Sequence, residues 1–522
     1  MNGWTVGSLL LCVIVFLPIA TVITNLLGGS EHWSHISQYL LPKYILSTMY
    51  LTFGVGIVST IIGVGCAYMV TCYDFYGRRF VEWVLVLPMT IPTYIAAYSY
   101  YDALELLTPL MLWSRRTLGT DWTIAIENLI VYLIVMILFS FVLYPYIYIT
   151  TRASLILQGS RLIEAASMLG ISSRRVLDKV ILPLIRPAVI AGLSLVIMET
   201  LNDYAAVEYF GIPTLTIGIF RSWFGMNDMA SALKLSAYMI IFVFAVLGFE
   251  KYIRGKQKYH NTTGTDFRMK RSKMTDWKGA LLLILCLVPF VFGFLIPVLR
   301  LLTWAIFSET SSSDIDLYAI TLNTVGISLF SCLLVVSAAF FVNFIKNYYN
   351  NDIVQKFGKV AILGYSMPGA IVAIGVLKFN GYMNDSFSLL VTGSITGLVF
   401  AYLTRFLAVA WQPIESSMEK QCGSINQSAR VLNAPLYLSL TKVNIPILRK
   451  PILFACLIVF IDIVKELPLT LILRPFNFDT LSTLTYDMVS QAQFFQSSVP
   501  SLMIILVSMP AIFLINKQMN KD

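Results

Sequence analysis

The sequence predicts an all-α membrane protein with about twelve transmembrane helices, arranged as two parallel repeats of six. The first observation is composition: of 522 residues, 57% are hydrophobic and only 12% are charged, whereas soluble domains carry roughly 25% charged residues. The second is the recurrence of apolar segments long enough to cross about 30 Å of hydrocarbon. The third is a loop pattern that occurs twice, 263 positions apart.

The apolar segments fall into two sets of six. Those of the first half are 4–27, 45–72, 81–107, 124–148, 184–207 and 233–253. Those of the second half are 279–303, 321–345, 360–378, 387–411, 452–473 and 499–515. We therefore predict a first repeat at 1–253, a basic linker at 254–278 and a second repeat at 279–522. Because each repeat has an even number of spans, both have the same orientation, and an axis along the membrane normal relates them.

The distribution of Lys and Arg predicts the orientation, since short cytoplasmic loops carry an excess of both. With the amino terminus inside, most basic residues of the chain fall on cytoplasmic segments, and the linker at 254–278 is cytoplasmic as well. Both termini are then cytoplasmic. The basic residues behind the formal net charge of +9 are dispersed over loops. Their distribution disfavours a nucleic-acid partner and is instead a signal of topology in the lipid bilayer.

The first copy of the loop pattern lies at about 150–183 and is polar and basic between two apolar segments. It contains Glu164-Ala165-Ala166, then Gly170, then Leu182-Pro183. Good helix formers precede Gly170, which permits a turn of either hand, and a second short helix precedes Pro183. The pattern predicts a helix–turn–helix at the membrane surface.

The second copy lies at about 413–446. Gln427-Ser428-Ala429 takes the place of Glu-Ala-Ala, Asn433 that of the glycine, and Ile445-Pro446 that of Leu-Pro. Asn visits the left-handed region more readily than other non-glycine residues, so the turn is preserved. Gln427 lacks the charge of Glu164, which predicts that the two loops act unequally.

This spacing resembles the EAA loop of membrane permeases of ATP-binding-cassette importers. The resemblance implies a type I importer permease fold in which each loop docks on one copy of a separate cytoplasmic ATPase, so that two copies bind. It implies a coupling role for Glu164, Ala165, Ala166 and Gly170, and for Gln427, Ser428, Ala429 and Asn433. No GxxxxGK[ST] phosphate loop occurs in the sequence. We expect a transport permease and not an enzyme, with no cofactor of its own and with ATP on the partner.

Acidic residues inside two apolar segments are the candidate substrate path. Glu199 and Asp203 are four apart and share a helix face, and the 263-residue offset brings them onto Asp462 and Glu466, beside Lys465. An ionised residue in mid-span costs about 2.5–3.5 kcal/mol. One interpretation is structural, with Lys465 neutralising a neighbour. The other is that the four acids converge at the pseudo-twofold axis as transient metal ligands of a cation path.

The segments 199–211 and 465–481 resemble the two-repeat permeases of bacterial ferric-iron importers. The resemblance implies import of Fe(III) across the bacterial inner membrane from a periplasmic ferric-binding protein. Hard oxygen ligands agree with that substrate. Import of another cation, thiamine or a polyamine, is the alternative, and a proton-coupled secondary transporter is a third interpretation that the paired loops disfavour.

Overall fold

The computed structural model describes most of the chain. The described residues are 2–24, 29–100, 107–156, 181–254, 271–274, 276–307, 316–349, 351–361, 364, 367–387, 391–421, 423–432 and 434–519. Almost all secondary structure in them is helical, as predicted, apart from two strands of two residues each, β1 (Tyr73–Asp74) and β2 (Ser272–Lys273).

The first half contains eleven α-helices within the described residues. They are α1 (Gly3–Thr24), α2 (Trp33–His35), α3 (Leu41–Cys72), α4 (Arg78–Val84), α5 (Thr93–Ser99), α6 (Thr108–Thr117), α7 (Thr120–Ser154), α8 (Leu182–Asn202), α9 (Ala205–Tyr209), α10 (Leu215–Phe220) and α11 (Met229–Arg254). A π-helical turn at Ile36–Leu40 joins α2 to α3, and a 3₁₀ turn at Leu87–Thr90 follows α4.

The second half contains thirteen α-helices within the described residues. They are α12 (Trp277–Phe290), α13 (Ile296–Phe307), α14 (Leu317–Tyr349), α15 (Asp352–Ala361), α16 (Gly369–Phe387), α17 (Ile395–Gln421), α18 (Gly423–Val431), α19 (Leu436–Leu438), α20 (Ile445–Ile447), α21 (Arg449–Val464), α22 (Pro468–Leu473), α23 (Leu481–Ser490) and α24 (Phe494–Met519). π-Helical turns at Val291–Leu295 and Ser439–Asn444 lie between α12 and α13 and between α19 and α20.

Nine of the predicted spans are confirmed as helices that are long and apolar enough to cross a membrane, counted among the described residues. The other three, 81–107, 360–378 and 452–473, are interrupted. Arg78–Thr90 and Thr93–Ser99 are bent by 93° relative to one another. A proline stands at each break, namely Pro92, Pro368 and Pro468. Proline has no N–H to donate and disfavours helical geometry in the residue before it. Ile91, before Pro92, is extended, whereas Leu467, before Pro468, keeps helical angles.

One compact unit comprises residues 37–217 and 241–306. Its core is the pairing of α3 with α7, where Gly63 leaves room for Ile147: a Cβ at Gly63 would lie 2.9 Å from the Cβ of Ile147. The start of the second half packs here too, since Phe292 stacks on Phe141 at 5.5 Å. The strand β2 pairs in parallel with β1.

The other compact unit comprises residues 1–36, 218–240 and 307–522. Here α14, α17 and α21 pack together, and the amino-terminal helix α1 packs on α16, where Thr21 Oγ1 donates to the Gly375 carbonyl at 3.0 Å. The predicted boundaries at 253 and 279 separate two repeats of the sequence pattern. The compact units divide the chain otherwise, because each unit includes the first span of the other repeat.

The internal repeat is visible in matched hydrogen bonds. The Leu215 N–H donates to Thr48 Oγ1 at 2.9 Å, and in the second half the Leu481 N–H donates to Thr324 Oγ1 at the same distance. Two further matched bonds, each of 2.7 Å, come from the residue that follows each of these leucines. Thr216 donates to the Leu201 carbonyl near the end of α8, and Ser482 donates to the Val464 carbonyl at the end of α21. The predicted span 184–207, whose long helix α8 ends at Asn202 before α9 begins at Ala205, therefore breaks in the same way as span 452–473.

Candidate substrate path and coupling loop

The break in the first half is organised by Asp203. Helix α8 ends at Asn202, and the buried carboxylate of Asp203 accepts a hydrogen bond from the Ala206 N–H at 2.9 Å. It also accepts one from Thr93 Oγ1, at the first residue of α5. The carboxylate thus satisfies a backbone donor at the start of α9 and joins the broken span to α5.

The break in the second half is organised by Glu466 in the equivalent position. Its Oε1 accepts from the Leu469 N–H at 3.1 Å, which is the same i to i+3 bond as in the first half. Its second partner is different: the buried guanidinium of Arg405, on α17, forms an ion pair with Glu466. Leaving one member of such a buried pair without the other costs several kcal/mol.

Gly369 explains why an arginine fits in only one half. Gly369 is the first residue of α16 and is equivalent to Thr93, 276 positions earlier. A Cβ at Gly369 would lie 2.5 Å from Glu466 Oε1 and would overlap the Arg405 guanidinium. The side-chain position that holds a hydroxyl in the first half is therefore occupied by the Arg405 side chain in the second.

The remaining acids have other surroundings. Lys465, which follows the last residue of α21, places its Nζ 3.1 Å from Oδ1 of Asp462 on that helix, as the structural interpretation of Lys465 requires. Asp462 is buried, whereas its counterpart Glu199 is half-buried. Among the residues that the structure describes, no group of three or more His, Cys, Asp or Glu side chains is arranged to hold a metal ion.

The structure thus gives Asp203 and Glu466 a role that the sequence analysis did not assign, as caps of the broken helices. Metal binding by Glu199, Asp203, Asp462 and Glu466 stays a prediction. Arg405 was missed, although a cation in the middle of the predicted span 387–411 is costly enough to signal a buried acidic partner.

The second coupling loop is described in large part. Gln427 and Ser428 are exposed on α18, Ala429 is buried, and the chain then turns into α19 and α20. The tip is apolar and accessible, with Val431 83%, Leu432 79% and Tyr437 72% exposed. Large apolar side chains exposed together on a loop are typical of a protein interaction site.

Buried asparagines fasten this loop to the membrane helices. Asn426 Nδ2 donates to Asn347 Oδ1 on α14 at 2.8 Å, and Asn444 Nδ2 donates to Asn426 Oδ1 at 2.9 Å. Arg430 Nη1 donates to the Tyr348 carbonyl at 3.1 Å. In the first loop the positions of the two loop asparagines hold Ile163 and Ile181. The second loop is therefore held by a polar network that the repeat pattern did not predict.

The rest of the coupling prediction lies outside the described residues. Glu164, Ala165, Ala166 and Gly170 of the first loop and Asn433 of the second belong to that part of the chain. Their coupling roles stay predictions.

The sequence of this chain matches a family of membrane transport proteins. Residues 59–253 match the family model described as the inner membrane component of binding-protein-dependent transport systems. The chain is 25% identical to the Fe(3+)-transport system permease protein FbpB 2 of Haemophilus influenzae, over 91% of this chain and 90% of that protein. The chain is a permease component of a binding-protein-dependent ABC transporter.

Two other permeases match parts of the chain. The sulfate transport system permease CysT of Escherichia coli (strain K12) is 26% identical over 38% of this chain and 71% of its own length. The spermidine/putrescine permease PotC of Haemophilus influenzae is 25% identical over 47% of this chain and 93% of its own. The permease is accordingly a multi-pass inner membrane protein of the type I fold that works with a periplasmic binding protein and an ATPase, and it is not itself an enzyme.

Proposed function

We propose that the permease imports Fe(III), delivered by a periplasmic ferric-binding protein, and that two copies of the ATPase drive it from the cytoplasm. The observation that supports Fe(III) as the substrate is the extent of the similarity to the ferric permease of Haemophilus influenzae, which covers 91% of this chain. The sulfate and polyamine relatives correspond to 38% and 47% of it. Buried acids also suit a cation better than sulfate.

The proposed path gives the acids two roles. Asp203 and Glu466 hold the broken helices through the Ala206 and Leu469 N–H groups. Glu199 and Asp462, one turn earlier, set the negative charge along the path. Lys465 limits that negative charge in the second half, where it pairs with Asp462. A site that is only partly negative releases a trivalent ion more easily, and transport requires release as well as binding.

Both termini and the linker are proposed to be cytoplasmic, because the Lys and Arg residues of the short loops favour that side. The loops at about 150–183 and 413–446 then face the ATPase. The apolar tip at Val431 and Leu432 supports this for the second loop.

Substrate competition during transport tests the proposal. The permease, the ATPase and the binding protein are reconstituted into proteoliposomes, and uptake of radiolabelled iron is measured with ATP inside or outside. We expect iron uptake to depend on the ATPase. Excess sulfate, thiamine or spermidine should leave iron uptake unchanged. Uptake of labelled spermidine or sulfate in place of iron would contradict the proposal.

A further inference from the structure

A cluster of tyrosines lies where α5 meets α9 in the first half. The ring centroids of Tyr94 and Tyr98 are 5.8 Å apart, and those of Tyr98 and Tyr209 are 5.3 Å apart in an edge-to-face arrangement. Tyr204 stands at the break itself, next to Asp203. We call Tyr94, Tyr98, Tyr204, Glu208 and Tyr209 the tyrosine cluster.

The cluster contains one carboxylate in direct contact with a phenol. Tyr204 Oη donates a hydrogen bond to Glu208 Oε1 at 2.6 Å. The rings of Tyr94, Tyr98 and Tyr204 are buried, whereas Glu208 and Tyr209 are partly accessible. Tyr204 and Glu208 thus form a phenol–carboxylate pair in which the carboxylate residue is partly accessible.

The second half shows that the fold does not require these side chains. The alignment that pairs Thr93 with Gly369 and Asp203 with Glu466 also pairs each cluster member with an aliphatic residue. These residues are Ala370, Ile374, Leu467, Leu471 and Ile472. The first three are buried and the last two are half-buried, which matches the burial of their tyrosine and glutamate counterparts.

Aliphatic side chains therefore pack this junction in one half of the molecule with the same helix break and the same matched hydrogen bonds. The equivalent junction in the first half instead contains four phenols and a carboxylate. Packing does not explain this chemical difference between the two junctions. Carboxylates within apolar spans of membrane proteins mark ion paths more often than packing sites.

We propose that the tyrosine cluster is a transient binding site for the Fe(III) cargo, present in the first half alone, in which Tyr204 supplies a phenolate oxygen. This rests on the proposed function. A phenolate oxygen is a hard donor, which a small trivalent cation prefers. The bond from Tyr204 Oη to iron forms as the O–H bond breaks, and the proton moves to the Glu208 carboxylate, which already accepts it in a hydrogen bond. The iron stays Fe(III), and the proton returns when the iron leaves.

Two measurements on Tyr204→Phe test the site. The first is visible phenolate-to-iron charge-transfer absorption when Fe(III) nitrilotriacetate is added to the permease–ATPase complex without binding protein. The second is iron uptake by the full reconstituted system. We expect the band to be lost and uptake to fall about tenfold, since even indirect partners of a metal ligand change affinity by 10–100-fold. In Glu208→Gln we expect a weaker band, because the carboxylate that accepts the Tyr204 hydrogen bond is gone.

The matched control is Tyr402→Phe, which removes a buried phenol from the second half, where its hydroxyl lies 2.7 Å from that of Thr470. It should keep both the band and the uptake. If wild type imports iron and Tyr204→Phe does so equally well, or if Tyr402→Phe loses as much as Tyr204→Phe, the tyrosine cluster is not a cargo site while the proposed function stands. If wild type imports no iron, the proposed function fails and the site fails with it.

Discussion

Thr93 and Gly369 begin equivalent helices, and they decide which partner the acid at each helix break takes. Thr93 donates to Asp203, whereas the missing side chain of Gly369 leaves the space in which Arg405 meets Glu466. One repeat therefore closes its break with a hydrogen bond from a neutral hydroxyl and the other with a buried ion pair. The two halves have the same geometry at this point but different charge.

Gly369→Ala should destabilise the permease, because the added Cβ would lie 2.5 Å from Glu466 Oε1 and displace Arg405. We expect a loss of about 2–4 kcal/mol, within the range for overpacking and for disturbing a buried pair, measured as a lower midpoint of thermal unfolding in detergent. Gly381→Ala, on the same helix with nothing within 4 Å of the new Cβ, is the control. Equal midpoints for both variants would contradict the steric argument.

A double-mutant cycle measures the ion pair itself. Arg405→Met leaves the Glu466 carboxylate buried without its cation, and we expect a cost of about 3–5 kcal/mol. Glu466→Gln in the same chain should recover part of that cost, since the neutral amide still accepts from the Leu469 N–H. Costs that simply add would show that the two side chains are energetically independent.

The exposed tip of the second loop should matter for coupling and not for folding. Val431→Ser with Leu432→Ser changes side chains that are 83% and 79% exposed, so the unfolding free energy should change by less than about 0.5 kcal/mol per site. Affinity for the ATPase, measured by co-purification at graded salt, should fall severalfold. Tyr76→Ser, at a residue 92% exposed outside the loop, is the control. An unchanged affinity in the double variant would argue against docking at this tip.

The proposed orientation is tested by accessibility. A cysteine introduced in the linker, at Thr262 for example, should resist an impermeant maleimide applied from the periplasmic side, whereas one at Ser312 should react. The reason is the excess of Lys and Arg on the segments assigned to the cytoplasm. Labelling in the reverse pattern would invert the membrane topology.

The sequence predicted what depends on local pattern and on repetition. Apolar length located nine spans, and the 263-residue offset alone pairs Asp203 with Glu466. The breaks were less visible: Pro92, Pro368 and Pro468 are present in the sequence, but hydropathy alone runs through them.

What the sequence did not predict depends on contacts between segments far apart in the chain. Arg405 reaches Glu466 across 61 positions, and Asn426 reaches Asn347 across 79. The charge of Arg405 inside an apolar span required a partner but did not say which of several acids it was. Similarly, the difference between the tyrosine cluster and its aliphatic counterpart acquires meaning only when both breaks are known to fold alike.

Import of Fe(III) by a permease coupled to an ATPase should be visible in the ATP hydrolysis of the reconstituted complex. The rate is measured with the ferric-binding protein loaded with iron or iron-free, and with sulfate, thiamine or spermidine in place of iron. Iron-loaded binding protein should stimulate hydrolysis severalfold, whereas the other solutes should not. Stimulation by spermidine, thiamine or sulfate, with none by iron, would contradict it.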